Sequence, residues 1–177
     1  MPQLEKNYAE AIFSLGLEDD KLNEYHQSVK ELITVLEQNK KFEDVLSNAF
    51  ISKKERHEII DRVFKGKVED GLLTFFHVIN ENGRMNRFHK ILIEFNLMCN
   101  EHFNIIEGIC YSSFKLESKQ LERLMDALSK REGKQVHLTS RINKELIGGL
   151  KIIIGDRVYD SSILSTVENI RRNLLKE

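Results

Sequence analysis

Two short stretches bring residues capable of chemistry close together. The first, "ELIGGLKIIIGDRVYDSSI" (Glu145–Ile163), holds three of the nine glycines, two aspartates and a dense block of Ile, Leu and Val. Glycines beside a strand can cradle a phosphate. A P-loop, however, needs GxxxxGK[ST] followed by a helix, so that backbone N–H groups, a Lys and a hydroxyl surround the anion. Here Leu150 follows Gly148-Gly149, and no helical pattern comes next. The stretch reads as a hairpin instead: "LKIII", then Gly155-Asp156, then "RVYD". Glycine at the first position of a two-residue loop suits a type II′ turn. That register sets Ile153 opposite Val158 and Lys151 opposite Asp160 as a cross-strand charge pair. Gly148-Gly149 lets the chain bend into the strand or pack close to a neighbour.

The second stretch is "HEIID" (His57–Asp61), one residue short of the HExxH pair of zinc proteases. Those enzymes need two imidazoles one helical turn apart, and the second position here is Asp61. The expectation is a solvated face of a helix. His26, His77, His89, His102 and His137 are scattered without a second ligand three or four residues away, and read as surface or edge histidines. Cys99 falls on an apolar helix face and Cys110 in a strand; neither has CxxC spacing. Lys53-Lys54 and Arg171-Arg172 are pairs, too small for a basic patch. No catalytic, metal or cofactor constellation emerges, so the reading is a non-enzyme without a cofactor.

The elements that carry these residues divide at about residue 105. Before it, apolar residues repeat at helical spacing. Leu4, Tyr8, Ala11, Ile12 and Leu15 form one stripe, and Leu22, Tyr25, Val29, Leu32 and Leu36 a second. Phe42, Val45 and Leu46 suit a short third helix. Ser52 and Glu55 form a capping box for a fourth with Ile59, Ile60, Val63 and Phe64, stopped at Gly66. Leu72, Leu73, Phe76 and Ile79 make a fifth, closed by Asn82-Gly83. Phe88 to Phe103 make a long sixth. Pro2, the single proline, interrupts nothing. After 105, "IIEGICYSSFKL" and "QVHLTSRI" read as strands. A helix capped by Ser118 and ended by Gly133 lies between them. The hairpin follows, then a terminal helix on Ile163, Leu164, Val167, Ile170 and Leu174. The predicted fold is α+β overall: an all-α six-helix bundle over 1–105, and a small α+β domain with a β-hairpin and C-terminal helix over 106–177.

The bulk numbers bound the function. The chain has 177 residues, 41% hydrophobic and 31% charged, an ordinary globular composition. Net charge is −1, against a dedicated nucleic-acid binder. Residues 1–105 hold 14 Lys/Arg against 18 Asp/Glu, whereas 106–177 hold 13 against 10, so the two halves suit different partners. The start carries no secretory pattern, and no apolar run approaches the roughly 20 residues of a membrane span. Interaction remains. The fifth helix is apolar on more than one face through Phe75, Phe76, Val78 and Ile79, which marks it as central or as covered by a partner. A groove beside it can accept an amphipathic helix.

Three motifs carry a family resemblance over essentially the whole chain. "NYAEAIF" (Asn7–Phe13) is similar to a Tyr-Ala-x-Ala-hydrophobic-Phe pattern. "ENGRMNRF" (Glu81–Phe88) is similar to a Glu-Asn-Gly-Arg turn and contains Gly83 and Arg84. "LIGGLKIIIGDRVYDSSI" is similar to a C-terminal signature in which Gly148, Gly149, Gly155, Asp156 and Asp160 fall in place. The chain resembles the delta subunit of bacterial F-type ATP synthases, the counterpart of the mitochondrial oligomycin-sensitivity-conferring protein. It departs at Asn143-Lys144-Glu145, where the family often has Asp-Pro, and at Ser161, where it often has Gly.

The resemblance implies a stator subunit without an active site, linking the alpha-beta catalytic head to the b subunits so that proton-driven rotation is coupled to ATP synthesis. It implies that the N-terminal bundle grips the N-terminal helix of an alpha subunit between helices 1 and 5, through Tyr8, Ala11, Ile12, Val78 and Ile79 with Tyr25 nearby. It also implies that 106–177 binds the C-terminal ends of the b subunits. The chain would be a monomer within a hetero-oligomeric complex, peripheral on the cytoplasmic face of the bacterial cell membrane, with no membrane insertion and no nucleic acid. The residues alone leave a second class open: a helical adaptor for RNA or a regulatory protein, marked for RNA by steep salt dependence.

Overall fold

A computed structural model describes residues 2–48 and 50–163, together with 165, 167 and 171. The chain divides into two compact units, 1–99 and 100–177. The first is helical. Its elements are α1 (Pro2–Glu18), α2 (Leu22–Gln38), α3 (Lys40–Ser47), α4 (Lys53–Phe64), α5 (Asp70–Glu81), a 3-10 turn (Met85–Arg87) and α6 (Phe88–His102), which runs through the boundary. The stripe on α2 is buried throughout: Leu22, Tyr25, Val29, Leu32 and Leu36 all face inward. Each such side chain contributes roughly 1.5–3 kcal/mol on leaving water. A chain of aromatic contacts joins four helices. Phe42 meets Phe64 at 6.2 Å, Phe64 meets Phe76 at 5.2 Å, and Phe76 meets Phe88 edge-on at 5.0 Å.

The predicted capping box forms. The Ser52 hydroxyl accepts from the Glu55 amide, and the Glu55 carboxylate accepts from the Ser52 amide at 3.0 Å. The Ser52 hydroxyl also donates to Glu55 Oε2 at 2.7 Å, and this bond, with that from the Ser52 amide, holds the Glu55 carboxyl below its usual range. Two polar groups buried in this unit were not foreseen. His26, expected at the surface, is 3% exposed and lies 2.9 Å from Asn96 Oδ1 across α2 and α6. Arg56 is also buried. It donates to Asn80 Oδ1 at 3.1 Å and to the Asn48 and Ile51 carbonyls at 2.6 and 3.0 Å, tying the α3–α4 loop to α5. A guanidinium can be enclosed this way because fixed acceptors replace its water.

The second unit holds β1 (Ile105–Ser112), α7 (Ser118–Glu132), β2 (Gln135–Ile142), β3 (Leu150–Ile154) and β4 (Arg157–Asp160). The sheet order is β2-β1-β3-β4. β1 and β2 are parallel, joined by the α7 crossover, and the other pairs are antiparallel. Cys110, Val136, Leu138, Ile152 and Ile154 alternate onto one face and pack with Leu128 of α7. The cap of α7 differs from expectation. Glu117, not Ser118, is the N-cap, in a capping box with Gln120. Glu117 precedes the first helical residue; its amide donates to Gln120 Oε1 at 3.0 Å, and its carbonyl accepts from the Gln120 amide at 3.0 Å. The expected terminal helix rests on Ile163, Leu164, Val167, Ile170 and Leu174, of which Leu164, Ile170 and Leu174 lie outside the described residues.

Candidate functional site

The six residues expected at a partner surface fall on α1, α2 and α5. α1 and α5 meet where the Tyr8 ring packs against Phe75, 6.3 Å between centroids and tilted by 59°. The helices sort the six residues by periodicity. Ile12, Tyr25 and Ile79 are buried to within 1% and belong to the core. Tyr8 is half-buried, and Ala11 is exposed. Val78 is 45% exposed although its neighbour Ile79 is fully enclosed. Direct access is therefore confined to Tyr8, Ala11 and Val78 among the six.

Tyr25 is anchored in this core by a hydrogen bond. Its hydroxyl donates to Asp19 Oδ2 at 2.6 Å. Burial, with the Asp19 carboxylate, pushes the phenol well above its usual pKa, so it stays a donor. Gly71, in the first turn of α5, makes room for it. A Cβ at Gly71 would lie 2.0 Å from the Tyr25 hydroxyl oxygen. Nothing in the helical periodicity marked Gly71 as the point where α5 approaches α2.

The C-terminal signature is a structural device. The hairpin takes the predicted register, with Lys151 opposite Asp160 and Ile153 opposite Val158. Gly155 has φ +56°, and Asp156 lies outside the positive-φ set, as a type II′ turn requires. Gly149 has φ +82°, and a Cβ there would meet the Ser161 carbonyl oxygen at 2.3 Å. Asp160 accepts from the Ser162 amide at 2.9 Å, and contacts with Ser162 lower its pKa. Asn143, one of the departures from the family pattern, accepts from the Glu145 amide at 2.9 Å and so forms its own turn. Gly83 has φ +64° after α5, and Arg84 is exposed, its amide bonding to the Ile79 carbonyl at 3.0 Å. The second unit also carries an apolar hollow of about 310 Å³, lined by Phe114, Leu116, Leu124 and Leu150 with Gln120 and Arg123 at its polar side.

Among the described residues, one group has metal-ligating composition: His57, Asp61 and His77. From sequence the first two belong to a solvated helix face and the third is a surface or edge histidine. The contact of α4 with α5 brings them together, a non-local event that spacing along one helix does not report. Among the described residues, no helix is long and apolar enough to cross a membrane.

Comparison with known proteins identifies the family and the fold. Residues 4–174 match the family model for the ATP synthase delta (OSCP) subunit. The ATP synthase subunit delta of Malacoplasma penetrans is 34% identical, covering 95% of this chain and 93% of its own. That of Clostridium beijerinckii is 28% identical, covering 98% and 97%. A chain in the cryo-EM structure of the Toxoplasma gondii mitochondrial ATP synthase hexamer shares the fold, with a TM-score of 0.72 over 97% of each chain at 16% identity. The chain thus belongs to the ATP synthase delta (OSCP) subunit family, and is a structural component of the peripheral stalk of that complex.

Proposed function

We infer that the helical region, residues 1–105, works as a six-helix bundle that holds the N-terminal helix of an alpha subunit between α1 and α5. Residues 106–177 hold the C-terminal ends of the b subunits, and the chain sits peripherally on the cytoplasmic face of the bacterial membrane. In that position it keeps the alpha-beta head from turning with the rotor, so that torque from proton flow reaches the catalytic sites. The work is mechanical. It requires a static joint, which an amphipathic helix buried in an apolar groove supplies.

The observation that carries this reading is Val78. It is a β-branched apolar residue, 45% exposed, on a helix whose remaining large apolar residues are mostly enclosed, and exposed Ala11 lies on the adjacent helix. Tyr8 adds an aromatic rim, while Ile12, Tyr25 and Ile79 back the groove without touching the guest. In the second unit, the hollow at Phe114, Leu116 and Leu150 suits an apolar helix end.

The test is calorimetric titration with a peptide of the first ~20 residues of the alpha subunit, a length that spans ~30 Å as a helix. The chain should bind one peptide. Val78→Asp and Ala11→Asp should each weaken binding about tenfold or more, as central contacts do. Both positions are exposed, so circular dichroism should show the fold retained. Unchanged affinity in both folded variants would remove the groove from the account.

A further inference from the structure

The cluster on α4 and α5 has no part in the partner surface, and its composition suggests a second property. His57 and Asp61 stand one turn apart on α4, and His77 comes from α5. His77 Nε2 is 2.8 Å from Asp61 Oδ1, and His57 Nε2 is 3.8 Å from Asp61 Oδ2. One ligand atom from each of the three residues lies within 4.8 Å of the others. Donors each about 2.0–2.1 Å from one ion lie roughly 3–3.5 Å apart, so the cluster is within one side-chain adjustment of that spacing. Two imidazoles and a carboxylate are the donor set of borderline first-row divalent ions, such as zinc, cobalt or nickel, rather than of magnesium or calcium.

We propose that His57, Asp61 and His77 form a divalent transition-metal site that clamps α4 to α5. Geometry says which residue must move. The two imidazole rings are stacked, 3.7 Å between centroids and 20° from parallel, so no single ion can lie in both ring planes. A ring nitrogen binds along its in-plane lone pair, hence one ring turns. The side chain of His57 is 44% exposed and free to do so, whereas those of Asp61 and His77 are 37% and 19% exposed. Asp61 and His77 are then the fixed pair, and His57 closes onto the ion from the solvent side. The remaining coordination positions face outward and hold water.

The site also sets a ceiling on its own affinity. Coordination through His77 Nε2 displaces the proton to Nδ1, and His77 Nδ1 is buried with no hydrogen-bond partner among the described residues. Ligating histidines ordinarily donate that second N–H to an oxygen, and losing such a partner costs about 10–100-fold in metal affinity. The site is therefore a moderate one that responds to metal supply, not a permanent structural centre. Because it joins two helices of the folded state, an occupied site raises the melting temperature of the helical unit by linkage. This inference stands apart from the partner reading and uses none of its residues.

The test uses the full chain, freed of metal by a chelator and titrated with Zn²⁺ by calorimetry and with Co²⁺ by visible absorption. One ion should bind per chain, with a rise in melting temperature. His57→Ala, at a half-exposed position that leaves the core intact, should weaken binding about tenfold or more. His77→Gln should do the same, and both should abolish the thermal rise. His137→Ala, on β2, should change nothing. Absence of binding at millimolar metal would overturn the site. So would binding that survives both His57→Ala and His77→Gln with its affinity unchanged, since the ion would then lie elsewhere.

Discussion

The helical unit and the α+β unit use opposite means to hold their shape. In the first, the core is made of large side chains from six helices, with Tyr25, Phe76 and Phe95 among those fully enclosed. In the second, the buried cluster is small and aliphatic: Cys110, Leu128, Val136, Leu138, Ile152 and Ile154. What it lacks in side-chain volume it makes up in backbone pairing and in polar ties at the edge. The Tyr159 hydroxyl and the Arg157 guanidinium both donate to Glu132 at the end of α7, and Arg131 stacks over the Tyr159 ring at 4.7 Å. The contrast teaches that a packed helical unit tolerates change on its surface. The sheet unit depends on a few positions where backbone meets backbone.

Each unit contains one buried thiol, which makes the contrast measurable. Cys99 and Cys110 are both fully enclosed. Burial pushes the Cys99 thiol up to about 12 and raises that of Cys110 as well. Neither should react with alkylating reagents near pH 8 until its surroundings open.

The largest effect is expected at Gly149. Valine there meets both a left-handed backbone and the Ser161 carbonyl, which together cost about 3 kcal/mol or more. Cys110 should become labelled in Gly149→Val while Cys99 stays protected; equal labelling of both would erase the distinction between the units. Next comes truncation of the two cores. Phe76→Ala should cost about 3–5 kcal/mol, and Leu138→Ala, at a site already 7% exposed, about 2–3 kcal/mol. Denaturant melts followed at each cysteine check the order, and a larger loss at Leu138 would reverse the comparison.

The smallest effect is on pH dependence. The Tyr159 hydroxyl, followed by Arg157, holds the Glu132 carboxyl below its usual range. A carboxylate with a lowered folded pKa stabilises the fold above its unfolded pKa. That contribution is lost as pH falls through the lowered value. The second unit should therefore weaken in acid from about pH 5 downward, where unfolded Glu begins to take up its proton. Tyr159→Phe should flatten that dependence in circular dichroism melts at successive pH values. An unaltered acid profile would show that the tie is spatial only.

Much of this architecture was legible because its signals are local. Gly155-Asp156 with Lys151 and Asp160 on either side specified a turn type and a register, and both are present. Ser52 and Glu55 specified a helix start for the same reason. What escaped the sequence depends on which helices meet. Arg56 reads as one more charge on an exposed helix until Asn48, Ile51 and Asn80 surround it. His26 finds Asn96 seventy residues away. His57 and Asp61 gain their third neighbour only from α5. The exposure of the residues expected at a partner surface was half legible. The periodicity of α1 and α5 placed Tyr8, Ala11, Ile12, Val78 and Ile79 on two helices, but only packing separates Ala11 and Val78 from the enclosed Ile12 and Ile79.

Hydrogen–deuterium exchange of the full chain, with and without the alpha-subunit N-terminal peptide, tests the central claim most directly. The account predicts added protection on α1 around Tyr8–Leu15 and on α5 around Phe75–Asn80, little change in β1–β4, and loss of the effect in Val78→Asp. Protection confined to the sheet unit, or an unchanged pattern in a chain shown to be folded, would contradict it.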